Sequence, residues 1–162
     1  MITAIRRREP ADAAEPLEVL AAASTGTVRT CVLELAGANA DMLRALRERL
    51  PGGRRDPEWQ ETGHPGAETV VTVQSVASDG TPIDIDDIDP PQRTATRVVL
   101  ALANGNPGDA GIQLDIAAEA DEPDVLREVL AHTVVWTLEL LDQCAASNRP
   151  VPAWLRPVLT DH

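Results

Sequence analysis

The side chains able to do chemistry are few, and their spacing limits what each can do. The densest group is the run Ile83-Asp84-Ile85-Asp86-Asp87-Ile88-Asp89. Clustered carboxylates suit Ca²⁺ or Mg²⁺, which take oxygen ligands. A calcium loop needs Gly at its sixth position and Glu at its twelfth, and this run supplies neither. Read as a strand, it puts Asp84 and Asp86 on one face and Asp87 and Asp89 on the other, so the four do not converge. Asp84 and Asp86 are the metal-ligand candidates. The competing reading is an edge strand whose charges block pairing with other sheets, and on it no metal is expected.

The histidines are the candidate catalytic groups. His132 falls four residues after Glu128 and four before Trp136. One imidazole and one carboxylate are short of the three protein ligands a catalytic metal takes, so a hydrogen-bonded core or interface histidine is the alternative. His64 lies among Glu58, Glu61 and Glu68, where acid–base work is conceivable without a visible nucleophile beside it. Gly37-Ala38-Asn39-Ala40-Asp41 reads as a strand-to-helix junction with Asn39 as N-cap. Asp41 there would repel a bound phosphate. Cys31 and Cys144 form no CxxC or Cys/His cluster, and both read as small buried hydrophobes.

Absences narrow the chemistry further. The chain has no Phe and no Tyr, and all 14 of its basic residues are Arg. A Lys Schiff base and a Tyr proton donor are excluded. No cofactor is expected. The GC-rich codons of Arg, Ala, Gly and Pro point to the high-GC genome of a bacterium or phage.

The 162 residues carry a net charge of −12. That length suits one domain burying roughly 70% of its unfolded surface. The charge opposes phosphate backbones and anionic lipid, so neither nucleic acid nor membrane is expected as a partner. With no apolar leader or spanning stretch visible, the cytoplasm is the expected compartment.

The elements that must position these residues follow from periodicity. A lead-in over 1–11 precedes a single domain over 12–147 and a docked, Pro-rich tail over 148–162. The first helix runs over 12–24, with Ser24-Thr25-Gly26 as its stop. Strands are expected over 27–35, 68–77, 94–103 and 112–116, with a hairpin at Asp79-Gly80 and a further strand through Ile83 and Ile85. Helices are expected over 40–50 and from Glu122 to about Ala146, and 51–66 reads as a surface loop. The fold class is α+β, a mostly antiparallel sheet of four to five strands with helices on one face and a long C-terminal helix.

That last helix is apolar nearly all round, which a lone domain covers with difficulty. The expected function is a non-catalytic interaction module (an adaptor, small chaperone or assembly subunit) that pairs with itself and one other protein. Val129, Trp136, Leu140, Trp154 and Leu155 are its expected contact residues. The alternative is a small-molecule-binding protein or enzyme with a pocket between the sheet and the C-terminal helix.

Overall fold

The computed structural model describes residues 22–47, 75–76, 82–120 and 124–160. Within them the chain is helical, and the expected four-to-five-stranded sheet is not there. The one strand pairing among the described residues is a two-residue antiparallel contact, Ser75–Val76 (β1) with Pro82–Ile83 (β2), in the register Ser75 to Ile83 and Val76 to Pro82. The lead-in, most of the 12–24 helix, the 51–66 loop and the Asp79-Gly80 turn lie outside the described residues.

Helix α1 spans Thr25–Arg47. Ser24, expected as part of a helix stop, caps the start of this helix. Its Oγ accepts the Thr27 N–H at 3.2 Å and its carbonyl accepts the Val28 N–H at 3.0 Å, the arrangement of an N-cap. The expected strand over 27–35 is the first half of α1. Thr27, Val28, Thr30 and Val32 are β-branched and favour strands locally, but packing overrides a preference of that size. Val28, Val32, Leu35, Ala36, Asn39 and Met42 are all buried, and that spacing is one face of a helix. Gly37, expected to break the strand, sits mid-helix with open space where a Cβ would stand.

Helix α2, Pro90–Ala103, replaces the expected strand over 94–103. Pro90 and Pro91 occupy its first turn, where an N–H would have no intrahelical partner, so they open the helix instead of closing a segment. It buries Pro91, Ala95, Val98, Val99 and Ala103. A Schellman turn ends it: Gly105 N–H donates to the Leu102 carbonyl at 3.1 Å and Asn106 N–H to the Ala101 carbonyl at 2.8 Å. Gly105 has φ +76°, a conformation other residues adopt only with strain.

The turn leads into helix α3, Pro107–Ala118, again with Pro at its start. The expected returning strand over 112–116 lies inside it. A strand would put Ile112, Leu114 and Ile116 on one face. The helix instead buries Leu114 with Ala110 and Ala117 and leaves Ile112 and Ile116 facing out.

Helix α4, Val125–Ala146, has the type and C-terminal end expected from the sequence. Its end repeats the Schellman pattern with Asn148 at φ +50°: Asn148 N–H reaches the Ala145 carbonyl and Arg149 N–H the Cys144 carbonyl. Pro150 and Pro152 then carry the chain into a 3₁₀ turn, Ala153–Leu155, and the short helix α5, Arg156–Thr160.

α1 and α4 lie side by side and run the same way. Arg127 Nη2 donates to the Ala23 carbonyl at one end, and Cys144 Sγ lies 4.0 Å from the Met42 carbonyl at the other. The core has two parts. The larger joins Val28, Val32 and Leu35 of α1 to Val98 and Val99 of α2, Leu114 of α3, and Val129 and Leu130 of α4. The smaller lies at the far end, where Leu155 and Val158 pack on Met42, Leu140, Leu141 and Cys144. Short aliphatic side chains fill both, consistent with a chain almost devoid of aromatics.

Candidate functional site

The aspartate run is used to fasten structure. Asp84 is not on a strand face; its Oδ1 accepts the Asp86 N–H at 3.0 Å and caps the 3₁₀ turn Ile85–Asp87. Asp86 Oδ1 lies 2.7 Å from Arg97 Nη2 and 3.9 Å from Arg93 Nη1, and Arg93 also donates to the Asp86 carbonyl at 2.9 Å. The run therefore ties the segment after β2 to α2. Asp87 and Asp89, like Asp84 and Asp86, are exposed. Among the described residues, no three His, Cys, Asp or Glu side chains are grouped to hold a metal ion.

His132 is half-buried on α4. His64 lies outside the described residues. Residues 37–41 lie within α1 and form no phosphate-binding junction. Asn39 is fully buried there, and its Nδ2 donates to the Thr133 carbonyl of α4 at 3.2 Å.

A cleft of about 130 Å³ opens where α1 and α4 begin and α3 ends, between Thr25, Val28, Ala117, Leu126 and Arg127. Ligand pockets for drug-sized molecules run to roughly 300–1,000 Å³, so this one suits a few waters. His132 is not part of its wall. Arg127, its cationic side chain, is held by Asp124 at 2.9 Å. Among the described residues the expected pocket between a sheet and α4 has no counterpart, because the four-to-five-stranded sheet is not there.

The expected contact residues separate. Val129, Leu140 and Leu155 are buried within the single chain, so they have no surface to offer a partner. Trp136 is half-buried against the larger core. Trp154 is 56% exposed although its neighbour Leu155 is 1% exposed.

Sequence reasoning missed the two most exposed large aliphatic side chains of the described residues. Ile112 is 55% and Ile116 61% exposed, one turn apart on α3. Pro107, following Gly105-Asn106, is the signal that marks α3 as a helix and so turns them outward. The exposed Asp109 and Glu119 flank the pair. Neither carboxylate has a cationic partner among the described residues. Arginines of the described residues are engaged elsewhere, Arg29 with Asp115 at 2.9 Å, Arg44 with Asp41 at 2.7 Å, and Arg97 with Asp86.

Comparison of the chain with protein-family models, curated proteins and solved structures finds no match. Among the described residues, no helix is long and apolar enough to cross a membrane.

Proposed function

We propose that the chain is a non-catalytic protein-interaction module, an adaptor, small chaperone or assembly subunit, which docks partners on the outer faces of its helices in the cytoplasm. The outward Ile112–Ile116 pair carries this reading. α3 is apolar on both sides: Ala110, Leu114 and Ala117 face the core while Ile112 and Ile116 face outward. Exposed aliphatic pairs gain free energy from burial, at roughly 25 cal/mol per Å² of apolar surface covered. The acidic surface suppresses nonspecific contact with nucleic acid.

Affinity capture from cell extract, comparing the natural chain with Ile112→Ser/Ile116→Ser, tests this reading. The expected result is a partner retained by the natural chain and lost by the variant, with helix content unchanged because both side chains point outward. Identical captured sets would overturn it.

Self-association is a second reading, favoured by Trp154. That ring is exposed on a turn anchored by buried Leu155, and binding energy concentrates in such aromatics. Sedimentation velocity at tens of micromolar should show a dimer that Trp154→Ala shifts toward monomer. A chain that stays monomeric throughout removes this reading.

A further inference from the structure

We propose that the outer stripe of α3 receives a basic amphipathic helix from a partner protein. This rests on the interaction-module reading and gives the partner its chemistry. Asp109, Ile112, Ile116 and Glu119 are all exposed. At 3.6 residues per turn these positions fall within about 80° of one another around the helix axis. Glu119, at the helix C-cap, keeps helical backbone angles, so the stripe is continuous. It reads carboxylate, isoleucine, isoleucine, carboxylate over about 15 Å, or roughly three turns. The other acidic side chain of α3 in that stretch, Asp115, is already paired with Arg29. Among the described residues, Asp109 and Glu119 are therefore the charges left for a partner.

Charge complementarity selects the occupant. A second copy laid on this stripe sets carboxylate against carboxylate, whichever way it runs, and like charges across an interface oppose binding. A helix with two apolar side chains one turn apart and a cation beyond each matches the stripe in both directions. Its apolar residues cover Ile112 and Ile116, as in other helix-on-surface recognition. Its cations reach Asp109 and Glu119. Lipid and nucleic acid carry the wrong charge for those two ends.

The test uses the full chain and a fluorescently labelled helical peptide carrying two leucines four residues apart, with an arginine pair at each end. A control peptide has the same composition with the leucines on opposite faces. Fluorescence anisotropy should show the patterned peptide binding about tenfold more tightly than the control. Ile112→Ser/Ile116→Ser should abolish that difference. Asp109→Asn/Glu119→Gln should weaken binding and flatten its salt dependence, since fewer ion pairs are then screened.

Equal binding of both peptides would mean attraction by net charge alone and would overturn the proposal. So would unchanged binding by the isoleucine variant. Binding that emerges only after Arg6, Arg7 and Arg8 are replaced by Ser would assign the stripe to the chain's own basic segment, and would overturn it too. If extract capture depends on Ile112 and Ile116 while the patterned peptide does not bind, the interaction-module reading stands and the basic-helix partner fails. If the peptide binds as expected and extract capture does not depend on the isoleucines, the stripe's chemistry stands and the module reading fails.

Discussion

Asn39 of α1 reaches across to α4 and donates its side-chain N–H to the Thr133 carbonyl at 3.2 Å, with the whole side chain out of solvent. The same carbonyl accepts the Thr137 hydroxyl at 2.8 Å. The Asn39 Oδ1 has no donor among the described residues. A polar bridge thus crosses an otherwise aliphatic seam between the two longest helices of the described residues, with one acceptor unsatisfied.

That arrangement predicts opposite outcomes for two substitutions of similar size. Asn39→Asp replaces the donor with a carboxylate facing a carbonyl in the core. It should lower stability by roughly 3 kcal/mol or more at neutral pH. Burial raises the folded-state pKa of the new carboxyl above its unfolded value. The deficit should therefore shrink as pH falls toward the ordinary aspartate range near 4. Asn39→Leu removes the donor and the orphan acceptor together, and the Thr133 carbonyl keeps its Thr137 partner. Its cost should stay within about 1.5 kcal/mol. Urea unfolding midpoints across pH give both values. An Asp variant as stable as the natural chain at pH 7 would mean that this site is open to water.

The same helix shows why the fold was only partly legible in the sequence. Residues 27–35 satisfy two patterns at once. Their β-branched side chains and local alternation suit a strand, while Val28, Val32, Leu35 and Ala36 suit a helix face. Only the continuation through Asn39 and Met42 decides, and Gly37 concealed that continuity. Two punctuation signals are ambiguous in the sequence. Ser24 can follow one helix or cap the next, and a Pro pair can end a segment or open α2. α4 was legible because its apolar run is too long for a strand and its end is closed by Asn148 and Pro150. The outward direction of Ile112 and Ile116 was hidden for a related reason. Ile112 and Ile116 share a face with Leu114 only if the period is two, and α3 has a period of 3.6.

Neighbouring residues in the tail should behave very differently on truncation. Leu155 is 1% exposed and packs with Val158 on Met42, Leu141 and Cys144. Leu155→Ala should cost about 2–5 kcal/mol, the range for a buried leucine whose cavity closes incompletely. Trp154 is 56% exposed, and Trp154→Ala should change the stability of dilute protein by no more than about 0.5 kcal/mol. Guanidinium titrations of both variants at low concentration check this. Comparable losses would place the indole in the core and remove it as a contact anchor.

The last expectation concerns alkaline pH and the two thiols. Burial pushes the Cys144 thiol above its ordinary pKa, with the nearby Arg149 guanidinium pulling weakly the other way. Because the folded-state pKa is the higher one, the contribution of Cys144 to stability is fully present below the unfolded thiol pKa of about 8.5. It is lost as pH rises from there through the folded-state value, since the unfolded chain ionises first and gains the thiolate. Stability should therefore decline above about pH 8.5, and Cys144→Ala should flatten that decline relative to the natural chain while lowering stability at pH 7 through the cavity it leaves. Thiol labelling gives an independent readout. Cys31 is half-buried and Cys144 buried, and the thiolate is the reactive form. One thiol should label in the native protein and the second only on unfolding. Native labelling of Cys144 at the rate of Cys31 would show that the α4–tail junction opens readily and that Leu155 does not seal it.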